Sequence, residues 1–365
     1  MTGPRVLLVM AEASGGIAGH VASLACELSA AGSPVTIATT FGSAGRLDGS
    51  LPDSVVLRPV LRSGRSLPAG LPALRRLCAG ADIVHAHGHQ AGLQAALALQ
   101  GLRRRPPLVI TWHNALLGSG PRATVGAAVE RLQIAGAQLV TGASSDLVER
   151  ARSLGADARL SEVAAPDLTP WQGDPAMVKA DLAQMYGLPG DRAWVLTVSR
   201  IAPQKDLPVL LDAAARMKDH NVSFVIVGDG DTQLTEYLSQ RISAERLPVH
   251  LIGASREVPR FIAASSVLAL PSRWEARSLV VQEALAGGLP CVVTDTGGLP
   301  DLVGSAGVLV PVGDAATLAE ALGRVLADDA LADSLRASGI RRAAELPDAA
   351  DVARAWMRRY RQLAG

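Results

Sequence analysis

The chain has 365 residues, room for two domains of ordinary size, each with its own core. Hydrophobic residues make up 48% and charged residues 19%, a globular balance that excludes a disordered chain. The net charge of +1 excludes a general nucleic-acid binder, which needs a basic excess. That charge is unevenly spread. Through residue 170 there are 15 Arg and 11 acids, a local +4, which suits an anionic acceptor or peripheral contact with a membrane face, or scattered solvated arginines. Cys26, Cys78 and Cys291 are far apart in apolar settings and read as reduced thiols of a cytoplasmic protein. The opening "MTGPRVLLVMAEASGG" is too short in apolar residues for a signal peptide. No stretch reaches the roughly 20 apolar residues of a membrane span.

Short apolar runs alternate with helical patterns along the whole chain. In the first half they are 6–10, 35–39, 82–86, 108–111 and 138–142. In the second half they are 194–198, 223–227, 249–253, 267–270, 291–294 and 307–310. Runs without polar alternation suit parallel sheets covered on both faces, with the helices as crossovers. Each half therefore predicts a doubly wound, Rossmann-like α/β domain, and the two sheets are expected to face a central cleft. The proline-bearing stretch 162–175 predicts a linker between domains at 1–167 and 175–349, and the final helix, 350–365, is expected to pack back on the first domain.

In chain order, the first strand runs into Gly15, Gly16 and Gly19, a loop that lets a phosphate or sugar approach backbone amides. A dinucleotide enzyme needs an acid at the end of the second strand, where this chain has Thr39 and Thr40. "HAHGH" places His85, His87 and His89 at alternate positions, but the run falls at a strand end, and the expectation is no metal site. His113 leaves the fourth strand at an expected ligand-facing edge. Arg200 and Lys205 leave the first strand of the second domain, a fork and a point charge suited to a diphosphate, or else two surface cations. "VGDG" (227–230) and "HLIGASREV" (250–258) read as tight turns. Glu275 and Glu283 then bracket the entry to an apolar helix. Either Glu283 lies on a solvated stripe beside Gln282, or both acids meet one hydroxyl-rich ligand.

Taken together, the Gly-Gly loop, "TWHN", "VSRIAPQKDLPVLLDA", "VGDG", "LPSRWEARSLVVQEALAGGLPCVVTDTGGLPDLV" and "AGVLVPVGD" resemble, in their order and spacing, the retaining glycosyltransferases of family 4. The resemblance covers nearly the whole chain; its most specific parts are Arg200 with Lys205 and the E-x7-E pair. It implies a GT-B fold, with an acceptor-side first domain and a second domain that binds a nucleotide-diphosphate sugar. It implies that Glu275 sits beside the transferred sugar, that Glu283 binds the ribose, and that Arg200 and Lys205 hold the diphosphate with the amides of Arg277, Ser278 and Leu279. Gly16 would face the donor phosphate, the turn around Gly253 would border the base, and His113 would touch the transferred sugar.

The chain departs from the family at Arg277, where small residues usually follow the first glutamate, and at Asp301, where a glutamate is common. The expected activity is metal-independent sugar transfer to a hydroxyl acceptor (lipid, polyol or natural product) with retention and without a cofactor. A nucleotide-sugar epimerase and a non-catalytic nucleotide-sugar-binding subunit are the alternatives. An arginine-rich, lysine-poor composition points to a high-GC bacterial gene, with only Lys179, Lys205 and Lys218 among the lysines.

Overall fold

The computed structural model describes residues 3–12, 16–116, 121–161, 163 and 168–365. The chain divides into two compact units, Met1–Pro166 with Pro347–Gly365, and Asp167–Leu346. Of the expected linker, residues 162 and 164–167 lie outside the described residues. Its far end is a helix start: Asp174 caps Pro175–Tyr186 by accepting from the Ala176 amide at 2.8 Å.

The first unit is built on β1 (Val6–Met10), β2 (Val35–Ala38), β3 (Val55–Arg58), β4 (Ile83–His87), β5 (Leu108–Trp112), β6 (Leu139–Gly142) and β7 (Ala158–Leu160). These form a seven-stranded sheet in the order β3-β2-β1-β4-β5-β6-β7, parallel at every pairing. The second unit carries β8 (Ala193–Val198), β9 (Val222–Val227), β10 (Val249–Gly253), β11 (Val267–Leu270), β12 (Cys291–Thr294) and β13 (Gly307–Val310). Its six strands are again parallel, in the order β10-β9-β8-β11-β12-β13. Both sheets are doubly wound, as the apolar runs predict, and each run becomes a strand with ends shifted by at most one residue.

Two strands escaped the sequence pattern, β3 and β7. Both are edge strands of the first sheet, and most of their side chains reach solvent. An edge strand buries too little to need a continuous apolar run, so its signal is weak.

Alternate residues of the central strands serve opposite cores. In the second unit Trp194, Leu196, Val225, Val227, Leu268 and Leu270 join one core. Their neighbours Val195, Phe224, Ile226, Val267 and Ala269 join the other. This two-sided burial explains the absence of polar alternation. In the first unit the helix Ala349–Ala364 lays Val352, Ala353, Trp356, Met357 and Tyr360 on a core shared with Val6, Leu8, Met10 and the helix Gly16–Ala30.

In each sheet the chain reverses direction of winding next to its first strand, between β1 and β4 and between β8 and β11. Loops at the carboxyl ends of those strands diverge to opposite faces and leave room for a ligand there. Arg200, Lys205 and Glu275 sit on the loops after β8 and β11, and Gly16 starts the helix that follows β1. No helix among the described residues is long and apolar enough to cross a membrane.

Candidate functional site

At the carboxyl end of the second sheet, backbone contacts lock the loops together. The loop after β8 is pinned to the loop after β9, with the Ile201 amide donating to the Asp229 carbonyl at 2.8 Å and the Asp231 amide to the Ile201 carbonyl at 2.8 Å. The close approach demands glycine: a Cβ on Gly228 would lie 1.9 Å from the Ser199 carbonyl oxygen, and one on Gly230 2.2 Å from that of Ile201. The Gly228 amide reaches on to the Gly253 carbonyl at 2.8 Å, which brings the turn after β10 into the same group. "VGDG" is thus a joint between three loops rather than a free turn.

Lys205 ends a short 3-10 helix, Pro203–Lys205, and Asp206 follows with φ of 48°, a left-handed turn that starts the helix Leu207–Arg216. The loop after β11 is clamped against this turn. Gln204 Nε2 donates to the Trp274 carbonyl at 2.7 Å, the Arg273 amide donates to the Gln204 carbonyl at 2.8 Å, and the Arg273 guanidinium pairs with Asp206 at 3.0 Å. Lys205 Nζ consequently meets Glu275 Oε1 in a short ion pair, and Ser272 Oγ donates to the same oxygen at 2.8 Å. Glu275 is 7% exposed and Ser272 fully buried. Behind Glu275 runs the Thr296-Gly297-Gly298 turn: the Gly298 amide donates to the Glu275 carbonyl at 2.9 Å, and a Cβ on Gly297 would strike that oxygen at 1.9 Å. The carboxylate is therefore fixed by its own backbone and by two side chains.

Ser278 caps the helix Leu279–Ala286 without a side-chain hydrogen bond to it. The amides of its first turn have no intrahelical acceptor, the ordinary condition of a helix start and a ready site for an anion. Glu283, one turn along, is half-buried, and Gln282 is fully buried. The solvated stripe considered for Glu283 and Gln282 is thus absent at Gln282. Arg277 is half-buried between Glu275 and this helix start. Arg200 is exposed and makes no ion pair among the described residues.

The first unit arranges different chemistry at the corresponding strand ends. His85 and His87 share a face of β4, as alternation requires, with ring centroids 4.1 Å apart. The run does not form a cluster of its own, because His89 begins the helix His89–Leu99 and bonds the Asn114 carbonyl at 2.8 Å. His85 is consumed by the core, Nδ1 with Tyr360 Oη at 2.6 Å and Nε2 with Thr111 Oγ1 at 2.7 Å. His87 instead meets His113, just past β5, through Nδ1 and Nε2 at 3.1 Å. His20, in the second turn of the helix Gly16–Ala30, closes a triangle with them. Burial holds His20 down at about 4 and pushes His87 and His113 well below the ordinary imidazole range, so all three are neutral at neutral pH. Gly16 opens that helix and is exposed; Gly15 lies outside the described residues. Sequence reasoning missed Ser272 and His20. A serine three residues before a loop glutamate carries no spacing signal, and His20 joins the others only by tertiary packing.

Residues 192–328 match the family described as Glycosyl transferases group 1, and residues 15–166 match the Glycosyl transferase 4-like domain. A D-inositol 3-phosphate glycosyltransferase of Streptomyces bingchenggensis (strain BCW-1) is 30% identical, over 96% of this chain and 87% of its own. A UDP-Gal:alpha-D-GlcNAc-diphosphoundecaprenol alpha-1,3-galactosyltransferase of Escherichia coli is also 30% identical, over 68% of this chain and 67% of its own. Among solved structures, the sucrose-phosphate synthase of Thermosynechococcus elongatus shares the fold with a TM-score of 0.82 at 23% identity, covering 98% of this chain and 99% of that one. Anabaena HepE, solved with UDP and glucose, shares it with a TM-score of 0.83 at 20% identity over 98% and 99%.

Proposed function

This chain belongs to the group 1, 4-like glycosyltransferases with the GT-B fold, enzymes that use nucleotide-sugar donors, and from that premise we propose a retaining, metal-independent hexosyltransferase. The observation that carries the reading is the Lys205–Glu275 pair at the β8 and β11 strand ends, the point where the second sheet reverses. An ammonium and a carboxylate held by packed loops offer one partner to a diphosphate and one to sugar hydroxyls.

In this reading Arg200 and Lys205 take up the charge that develops on the diphosphate as the glycosidic bond breaks. The amides of Arg277, Ser278 and Leu279 add the anion preference of a helix start. Glu275, held by Ser272, accepts from hydroxyls of the transferred sugar, and Glu283 accepts from the ribose. The Gly253 turn borders the base and Gly16 faces the donor phosphate. His113 takes the role of the family histidine that touches the transferred sugar. The acceptor hydroxyl attacks on the face the diphosphate leaves, and a leaving phosphate oxygen receives its proton, so no carboxylate forms a covalent intermediate. The two cations do the work a divalent ion does elsewhere.

The acceptor carries its hydroxyl on a polyol, a lipid or a natural product. The inositol phosphate and diphosphoundecaprenol in the relatives' names favour an acceptor bearing phosphate. Arg277, two residues after Glu275, is the partner we assign to that phosphate, since Arg273 at the same spacing is paired with Asp206. The protein works in the cytoplasm, with peripheral access to the inner membrane face if the acceptor is a lipid.

A thermal-shift screen of nucleotide sugars selects the donor. Transfer to inositol phosphates and polyprenyl diphosphates in excess EDTA, with the product anomer read by NMR, then tests the reaction. Full activity in EDTA and an unchanged anomeric configuration are expected. An inverted product removes retention, and activity restored only by magnesium or manganese removes metal independence.

A further inference from the structure

His20, His87 and His113 come from three separate elements, yet their imidazole nitrogens available for coordination lie within 4.8 Å of one another. The ring centroids form a nearly equilateral triangle, with sides of 5.5, 5.4 and 5.4 Å. A tetrahedral zinc with Zn–N bonds of roughly 2.0–2.1 Å sets its nitrogens roughly 3.3 Å apart and its ring centroids roughly 5 Å apart. The His87–His113 nitrogen pair, at 3.1 Å, already stands at that spacing. The His20 nitrogen, within 4.8 Å of the other two, closes on them when the ion binds.

One atom of the triad has an unmet need. His20 Nε2 is buried with no hydrogen-bond partner among the described residues. Such an atom is costly inside a protein unless something binds it. All three rings are at least nine-tenths buried. Burial keeps them neutral, so each ring holds one lone pair at neutral pH, and binding an ion moves the proton shared by His87 Nδ1 and His113 Nε2 to the other nitrogen of its ring.

We propose that His20, His87 and His113 form a binding site for a borderline transition-metal ion of the zinc class. Three neutral imidazoles suit zinc, cobalt, nickel or copper, and they exclude magnesium and calcium, which require oxygen ligands. Among the described residues no carboxylate joins the three histidines in this cluster, so the ion keeps its charge. The fourth position accordingly takes water, hydroxide or an anionic oxygen. Occupation of the site engages His113, the histidine assigned above to the transferred sugar. The bound ion therefore inhibits transfer, and this last consequence alone rests on the reading of the reaction.

The test uses the full chain, stripped with a chelator. Cobalt(II) titration followed by its visible ligand-field absorption should give one four-coordinate ion per chain. Zinc should displace it and magnesium should not. His20→Ala and His87→Ala should each weaken binding by at least about tenfold, with His20→Asn as the substitute if the alanine variant fails to fold by circular dichroism. His220→Ala, at an exposed position in the second unit, should leave binding unchanged. Absence of a stoichiometric cobalt band, or equal binding by the His20 and His87 variants, overturns the site. Zinc should inhibit transfer by the parent and spare the His20 variant; zinc bound without inhibition overturns the inhibitory consequence. If no donor supports transfer at all, the reaction assignment falls, while the cobalt spectrum still decides the metal site.

Discussion

The carboxyl ends of the two sheets solve the problem of buried polarity in opposite ways. In the second unit, charge meets charge: Lys205 pairs with Glu275, and Arg273 with Asp206. In the first unit, neutral groups meet neutral groups: His85 bridges Tyr360 and Thr111, and His87 meets His113. A half-buried ion pair keeps an unspent field that a charged ligand can share, which suits a diphosphate. Imidazoles forced to stay neutral keep lone pairs and hydroxyl contacts, which suit sugars and soft cations. The same winding thus offers two chemistries, and the difference lies in the side chains set at the strand ends and on the elements packed against them.

Four changes sharpen or break this contrast. The largest effect is expected from Trp356→Ala. It empties a site 1% exposed under the first sheet and should cost that unit about 3–5 kcal/mol. Hydrogen exchange should rise in β1 and β4 while β8–β13 stay protected; equal loosening of both units would mean that their stabilities are not separable.

Next come Arg200→Ala and Lys205→Ala, each expected to lower turnover by roughly a hundredfold or more, as loss of a transition-state charge partner does. Combining Lys205→Met with Glu275→Gln should recover stability lost by the first change alone, because the carboxylate is no longer left unpaired. Near-normal turnover in both alanine variants with an intact fold would remove the diphosphate assignment.

The two glutamates should separate by function. Glu283→Gln should weaken binding of the bare nucleotide diphosphate by roughly 1.5–3 kcal/mol, through loss of a charge-assisted acceptor. Glu275→Gln should bind it like the parent and turn over far more slowly. Calorimetry with the nucleotide alone, beside a turnover assay, distinguishes them. Parental behaviour of both variants would return the pair to a merely structural role.

The smallest effect belongs to Tyr360→Phe. It leaves His85 Nδ1 without its 2.6 Å partner and should cost about 1–3 kcal/mol in urea unfolding. A neutral result would mean that the His85 contact contributes nothing net to the first unit.

The sequence by itself determined the class of fold, because a strand covered on both faces must be written as an unbroken apolar run. Val6–Met10, Val267–Leu270, Cys291–Thr294 and Gly307–Val310 were legible to the residue. It also placed Arg200, Lys205 and Glu275 after strands and Glu283 inside the helix that follows, since those positions are local. The edge strands β3 and β7 were not legible, as an edge buries little and needs no pattern. Which side chains meet was decided only by tertiary structure. Lys205 and Glu275 are separated by 70 positions, and His20, His87 and His113 come from a helix and two strand ends. Both meetings depend on strand order, and that of Lys205 with Glu275 also on glycines at 228, 230 and 297, whose missing side chains let loops approach to distances no Cβ would permit. Spacing along a chain records the period of one element; contact between elements is fixed by the winding of the sheet, which no local period encodes.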